Sequence, residues 1–321
     1  MRKINWGVLG TAGIAYDQTI PGMKIADNCN LYAIAGRNIE KADDFKNTFG
    51  FEKAYGSYEE LIADENVEAV YIPLPNHIHV EWIKKAAEAG KHILCEKPMA
   101  MNKEELKEAF DTAKKNNVIL MEAYAYLHND AICAMVEKIQ NGAVGKVRLI
   151  ESSFIIRPPK DGDIRWIKEW GGGSVYDVGC YCISLAQRIL GEMPESIDAI
   201  AHFAESGVDD FCQMLFQYPS GAMAALECGF IAGRRSDRMV IHGDKASLWA
   251  DIAFNQQGLC AFDIRSDEGS EHFEYNVKSN YALEVEQLGR CIADGEKPHV
   301  SEEFSLAVCD IIDRVLEKIN Y

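Results

Sequence analysis

Ile4-Asn5-Trp6-Gly7-Val8-Leu9 runs directly into Gly10-Thr11-Ala12-Gly13-Ile14-Ala15. The first six residues form a short, mostly apolar run that stops at a glycine, the pattern of a buried strand. The next six open a helix. Gly10 permits a tight turn, and the small residues Ala12 and Gly13 let the backbone approach a pyrophosphate. The N–H groups at the helix start then face that phosphate. Ala12 and Ala15 stand where the glycine fingerprint of such turns has glycines. On its own the segment is equally a structural strand-to-helix turn. The elements that follow it favour dinucleotide binding.

Strand patterns at 30–35, 69–72, 92–95 and 118–122 alternate with helical patterns at 13–24, 39–49, 58–64, 78–89 and 103–116. Ser57 and Asn102 read as helix caps, and Gly50 and Gly90 as helix stops. Strands separated by helices imply βαβ units, right-handed crossovers and a parallel α/β sheet over residues 1–122. The pattern then changes. Helices are expected at 128–141 and 175–190, and a strand at 146–156. Strand-like stretches follow at 196–203, 209–218, 222–231, 238–243 and 246–250, with Tyr218-Pro219-Ser220-Gly221 as a turn between two of them. Short connections between successive strands argue for a large, mostly antiparallel open sheet. Residues 123–321 therefore read as an α+β domain for substrate binding and oligomerisation. Its last helix, 301–319, is free to pack back on the first domain.

Lys and Arg number 33 against 50 Asp and Glu, a formal net charge of -17. That disfavours a nucleic-acid backbone and an anionic membrane surface as partners. It leaves room for a local positive pocket. The ten cysteines form no CxxC pair. They read as buried, reduced thiols, and no metal site is expected. No run of about 18 apolar residues marks a transmembrane helix, and no signal peptide is recognisable. The cytoplasm is the expected location.

Four further stretches carry chemistry. Ala35-Gly36-Arg37-Asn38 ends the second strand, where an NAD site usually has an acid for the ribose 2′-hydroxyl. Arg37 suits a 2′-phosphate instead, so NADP(H) is favoured and NAD is the alternative; a solvated surface arginine is the plain reading. Leu74-Pro75-Asn76-His77-Ile78-His79 follows a strand end, where open α/β sheets place ligands. Asn76 and His79 are candidates for the nicotinamide ribose, against a helix cap and a packed histidine. Cys95-Glu96-Lys97-Pro98 follows the next strand. Lys97 there is a candidate general acid/base, against a surface lysine paired with Glu96. Gly171-Gly172-Gly173 precedes Asp177-Val178-Gly179-Cys180-Tyr181. Asp177 and Tyr181 are four residues apart and share a helix face, as a carboxylate and phenol relaying a proton would; the plain reading is a capped helix with a core tyrosine.

Together these motifs resemble the Gfo/Idh/MocA oxidoreductase family, across both domains and in the family's order. The match rests on Gly10 to Ala15, Glu96-Lys97-Pro98 and Gly172-Gly173 followed by Asp177 to Tyr181. Lys53 to Leu61 and Gly207-Val208-Asp209-Asp210 look most similar to its dimeric dihydrodiol dehydrogenase and D-xylose dehydrogenase group. Met121-Glu122-Ala123 matches as well, whereas Tyr124-Ala125-Tyr126 departs from that group in a segment expected near the substrate. The resemblance implies an N-terminal Rossmann domain and a C-terminal open-faced sheet. It implies that Lys97 and Tyr181 stand beside the nicotinamide and Asp177 near the substrate. It places Gly10, Thr11, Ala12, Gly13, Ile14, Gly36, Arg37, Asn38, Leu74, Asn76, His79, Glu96 and Met121 at the cofactor. Asp163-Ile164-Arg165-Trp166 resembles a loop that covers the cofactor, in the order Arg165-Trp166 where many members have Trp-Arg. Tyr281 is a candidate to approach the active site, against ordinary packing at a helix start. A homodimer or homotetramer through the C-terminal sheet is also implied.

The expected activity is hydride transfer between NADP(H) and a sugar, cyclic polyol or dihydrodiol, with Tyr181 or Lys97 exchanging the hydroxyl proton. A non-catalytic dinucleotide-sensing regulator and an NAD-dependent glycosidase are the alternatives.

Overall fold

The computed structural model describes residues 2–321. Two compact units are present. The first comprises residues up to His128 together with Ser279–Ser305, and the second comprises Asn129–Lys278 with Leu306–Tyr321.

The first unit opens with β1 (Ile4–Leu9), then a π-helical turn (Ala15–Thr19) that continues into α1 (Ile20–Ile25). β2 (Cys29–Ala35), α2 (Ile39–Phe49), β3 (Lys53–Tyr55), α3 (Tyr58–Ala63), β4 (Ala69–Ile72) and α4 (His79–Glu88) follow. β5 (His92–Glu96), α5 (Lys103–Lys115) and β6 (Leu120–Ala123) complete the alternation. The helices end where their sequences say they should. The side chains of Asn38, Ser57 and Asn102 accept the N–H groups of Lys41, Glu60 and Glu105. Gly50, at φ 87°, closes α2 in the left-handed conformation.

The six strands run in the order β3-β2-β1-β4-β5-β6, and every neighbouring pair is parallel. All carboxyl ends therefore lie along one edge. The order reverses beside β1, whose neighbours are β2 and β4, and ligands of such sheets bind at that point. All four residues of β4 are buried, as a strand covered on both faces requires.

The second unit opens with α6 (Asp130–Gln140), capped by Asn129, and β7 (Val147–Ile155). A second π-helical turn (Val175–Gly179) leads into α7 (Cys180–Leu190). Then come β8 (Ser196–Phe203), β9 (Asp209–Gln217), β10 (Met223–Gly229), β11 (Ser236–Gly243), β12 (Ser247–Asp251), β13 (Gly258–Ser266) and β14 (Gly269–Val277). The sheet order is β14-β13-β12-β11-β7-β10-β9-β8. Every pairing is antiparallel except β10 with β7. Register aligns Asp198, Leu215, Ala225, Glu151, Val240, Trp249, Asp263 and His272 in one row across all eight strands. One face of the sheet is buried, for example through Met214, Leu226, Ile241 and Phe262, while Ile200, Leu215 and Met223 on the other are exposed.

The chain then returns to the first unit as α8 (Asn280–Asp294), and α9 (Glu302–Lys318) follows, belonging to the first unit up to Ser305 and to the second from Leu306. α8 lies against α1: a Cβ at Gly22 would be 2.7 Å from the Cβ of Tyr281. That contact sets the first unit apart from the sequence boundary at 122 and 123, and it makes Tyr281, 5 % exposed, a packing residue of α8. Tyr124 and Tyr126 are also core residues here, 0 % and 1 % exposed. Their rings meet edge to face at 6.3 Å. Nine of the ten cysteines are buried and Cys133 is half-buried. No helix among the described residues is long and apolar enough to cross a membrane.

Candidate dinucleotide site and candidate catalytic helix

In the first unit, the carboxyl edge of the sheet brings together Gly10, Gly36, Leu74 and Lys97, the residues that end or follow β1, β2, β4 and β5. Gly10 holds φ 122°, and its N–H donates to the carbonyl of Ala35 at 2.9 Å. A Cβ on Gly10 would press on Leu74 at 3.1 Å, and one on Gly36 would meet Thr11 at 3.4 Å. These glycines keep the turn close to its neighbours. A Cβ on Gly13 would meet nothing within 4 Å. The backbone at the helix start is therefore open on its outer side. The Tyr16 N–H bonds the Ala12 carbonyl, so the N–H groups before it have no partner inside the helix. Ala12 is half-buried, and Gly13 and Ile14 are exposed. An open, glycine-lined helix start with outward N–H groups fits a pyrophosphate.

Arg37 and Asn38 are exposed after β2. Asn38 caps α2, accepting from Lys41 at 3.0 Å, so its side chain is engaged. The Arg37 guanidinium lies beside the Tyr58 hydroxyl: burial raises the Tyr58 pKa and Arg37 opposes the rise. A guanidinium at this strand end fits a 2′-phosphate.

Glu96, Lys97 and Pro98 follow β5, with a cis Lys97–Pro98 peptide. Lys97 is half-buried. Glu96 accepts a 2.6 Å hydrogen bond from the Tyr71 hydroxyl, which in turn accepts one from Thr19 at 2.9 Å. This chain ties the lysine motif to the π-helical turn that follows the Gly10 turn. Glu122 lies nearby, 4 % exposed, accepting from the Met99 N–H at 3.0 Å. Burial raises its pKa to about 7, against weaker lowering by Ser305, the Met99 N–H and Lys97. Glu284 of α8 is fully buried with no hydrogen-bond partner on either carboxyl oxygen, and burial raises its pKa well above the ordinary value.

Two sequence expectations change at this edge. His79 has no exposed surface, and its ring nitrogens face the carbonyls of Pro98 at 2.9 Å and Leu74 at 2.7 Å. Burial lowers its pKa to about 4, and the two carbonyls oppose that fall. It is a strut between the two loops that carry Leu74 and Lys97 rather than a ribose contact. Met121 is 0 % exposed within β6, so its side chain fills the core. Asn76 starts a short 3₁₀ turn and is half-buried, and it does not cap α4.

In the second unit, the three glycines make a compact bend before the helix with Asp177 and Tyr181. Gly171 and Gly173 hold φ 76° and 98°. A Cβ on Gly172 would lie 2.5 Å from the Arg165 carbonyl oxygen, and one on Gly173 would lie 2.2 Å from Asp209 Oδ1. Asp209 is 0 % exposed and accepts from Ser174 Oγ at 2.6 Å and the Val175 N–H at 2.8 Å, so it caps the π-helical turn. Burial raises its pKa to about 6, and the bonds from Ser174 and the backbone oppose the rise. The Tyr321 hydroxyl donates to the Gly172 carbonyl at 2.8 Å.

Asp177 is half-buried and accepts from Arg165 Nε at 2.7 Å. Arg165 also donates to Asp163 at 3.1 Å. Asp177 first and Asp163 after it hold the guanidinium firmly charged. Trp166 packs edge-on to Phe230 at 5.6 Å, and its indole N–H donates to the Pro159 carbonyl at 3.2 Å. Tyr181 is 7 % exposed between Phe154 and Phe254, with ring centroids 5.2 and 5.3 Å away. Asn255 Nδ2 donates to its hydroxyl at 3.0 Å. Sequence reading missed Asn255. Its one local signal is a residue type tolerant of the left-handed conformation, here at φ 61°.

Residues 4–124 match the family model described as "Oxidoreductase family, NAD-binding Rossmann fold". Residues 132–249 match the Gfo/Idh/MocA C-terminal domain. The chain is 35 % identical to "D-xylose 1-dehydrogenase (NADP(+)) 2" of Haloferax volcanii over 97 % of this chain and 96 % of that protein. It is 31 % identical to "trans-1,2-dihydrobenzene-1,2-diol dehydrogenase" of Xenopus tropicalis over 98 % of each. The solved structure of KijD10, a 3-ketoreductase from Actinomadura kijaniata in complex with NADP and TDP-benzene, superposes with a TM-score of 0.92 at 29 % identity, covering 99 % of this chain and 98 % of that one. Fold, phosphate-facing turn and sequence agree: the chain is an oxidoreductase with an NAD(P)-binding Rossmann unit and belongs to the Gfo/Idh/MocA family.

Proposed function

We propose that this enzyme prefers NADP(H) and oxidises a secondary alcohol or anomeric carbon of a sugar, cyclic polyol or dihydrodiol, or reduces the matching carbonyl. The observation that carries the reading is Lys97 at the end of β5, on the same sheet edge as the Gly10 turn and Arg37. The printed names of the Haloferax and Xenopus relatives support the substrate class. When bound, the nicotinamide supplies the hydride acceptor or donor.

The chain's own residues do the rest. The helix start at Gly13 would hold the pyrophosphate of NADP(H), and the guanidinium of Arg37 its 2′-phosphate. Tyr181 or Lys97 takes the hydroxyl proton as the carbonyl forms, and returns it in the reverse direction. Phe154 and Phe254 keep water from the phenol. Asp177, oriented by Arg165, holds a neighbouring substrate hydroxyl.

The first unit takes the cofactor, and the second takes the substrate and a second copy of the chain. Exposed Ile200, Leu215, Met223 and Trp249 on one sheet face support association into a homodimer or homotetramer. A cytoplasmic location remains part of the reading.

The test is a panel of aldoses, inositols and dihydrodiols followed by NADPH absorbance, with NADP+ and NAD+ compared. Turnover with at least one substrate is expected, falling by roughly 100-fold or more in Lys97→Ala or Tyr181→Phe. Near-normal turnover in both variants on the best substrate overturns the catalytic assignment.

A further inference from the structure

We infer that Asn255 is a positioning residue for Tyr181: its amide N–H holds the phenol oxygen and favours the phenolate. The inference rests on the proposed role of Tyr181 as proton acceptor. Asn255 Nδ2 lies 3.0 Å from the phenol oxygen, and Asn255 Oδ1 is enclosed without a hydrogen-bond partner. With Nδ2 the atom turned to the phenol, the amide meets it as a donor. A donor stabilises the phenolate more than the phenol, and it leaves the phenol's own hydrogen to point away from Asn255.

The surroundings hold this amide in place. Asn255 sits in the left-handed region, in a turn closed by the Gln256 N–H donating to the Ala253 carbonyl at 3.0 Å. The preceding residue is clamped: the Phe254 N–H donates to Asp237 at 2.7 Å, and the Phe254 carbonyl accepts from Arg235. Arg235 also donates twice to Asp237, both at 2.7 Å, and its guanidinium lies 4.5 Å above the Phe154 ring. Phe154 and Phe254 stack at 5.1 Å and both flank Tyr181. One salt bridge thus fixes both the ring that shields the phenol and the turn that presents the donor.

In the oxidative direction, the substrate C–H bond breaks with its electron pair passing to the nicotinamide, and the substrate O–H proton passes to the phenolate. The products are a carbonyl, the reduced cofactor and a neutral phenol. A donor on the phenol oxygen lowers the pH at which the acceptor form is available.

The experiment uses Asn255→Gly, which removes the donor and keeps a residue at ease in the left-handed region, and Asn255→Asp, which keeps the shape and replaces the donor with a carboxylate. In Asn255→Gly the ascending limb of kcat/KM for oxidation is expected to move up by about one pH unit, with kcat at pH 7 about tenfold lower and KM little changed. Asn255→Asp is expected to move the limb further. The second readout is the ultraviolet titration of tyrosinate in the cofactor-free protein. The tyrosine missing from the Tyr181→Phe titration should ionise about one pH unit higher in Asn255→Gly. An unmoved titration in both Asn255 variants overturns the inference. Near-normal turnover in Tyr181→Phe overturns the catalytic reading alone, because the ultraviolet titration still reports whether Asn255 acts on the phenol.

Discussion

Glu122→Gln is the sharpest test of the electrostatics behind Lys97. Glu122 is buried, and its pKa rises from 4.5 to about 7 through burial. The native state then holds the proton more tightly than the unfolded chain does. The stability this proton confers is fully present below pH 4.5 and is lost as pH climbs to 7. The rise corresponds to about 3 kcal/mol lost between pH 4.5 and the plateau above pH 7. Glutamine carries no titrating proton, yet its carbonyl still accepts from the Met99 N–H. The variant is therefore expected to resemble the wild type at pH 4.5 and to gain on it with rising pH. The gain should reach about 3 kcal/mol, or on the order of 5 °C in Tm, by pH 8. The assay is the difference between the two melting curves across pH, since other titrating groups cancel in that difference. A difference that stays flat from pH 4.5 to 8 refutes the buried neutral carboxyl.

Arg37→Ala is expected to lower kcat/KM for NADP+ by roughly 10- to 100-fold and to leave NAD+ nearly unaffected, as the loss of charge-assisted bonds to a 2′-phosphate requires; an unchanged cofactor ratio removes the assignment. Gly173→Ala is expected to destabilise the protein by roughly 2–4 kcal/mol, combining left-handed strain with a clash on Asp209. Gly191→Ala, where φ is 67° and a Cβ meets nothing within 4 Å, should cost only about 1 kcal/mol. Equal losses in urea denaturation of these two variants discount the clash.

Much of the fold could be read from the chain because local and global signals agree there. α2 and β4 fall where their periodicity and caps put them, and the antiparallel character of the second sheet follows from its turns. β3 escaped notice because it has three residues, none fully buried. β14 escaped because most of its residues are exposed and polar. α8 is interrupted by Gly289, which reads as a weakness in a helix. In the fold it is the place where the Asn28 side chain comes in, 2.3 Å from a would-be Cβ.

The site divides in the same way. The Gly10 turn, Lys97 and the Asp177–Tyr181 spacing are local patterns. The Asn255 donor joins segments 74 residues apart, and the pairing of Arg165 with Asp177 and the His79 strut cross between elements through loops, where periodicity carries no signal. The two π-helical turns were also unforeseen. One follows the Gly10 turn and the other bears Asp177.

The one parallel pairing in the eight-stranded sheet, β7 with β10, has a kinetic consequence. β8 to β10 and β11 to β14 each zip up through connections between sequence neighbours. β7 joins the two groups, and its contact with β10 must close the whole stretch from Ile155 to Met223, including the helix with Tyr181. Loop-closure entropy opposes that step until both sides are formed. Truncations in β7, such as Ile150→Val, should therefore slow refolding in stopped-flow measurements, while comparable truncations in edge strand β14 should mainly speed unfolding. The strand that holds the sheet's two halves together would then also set the pace at which the helix with Tyr181 is enclosed.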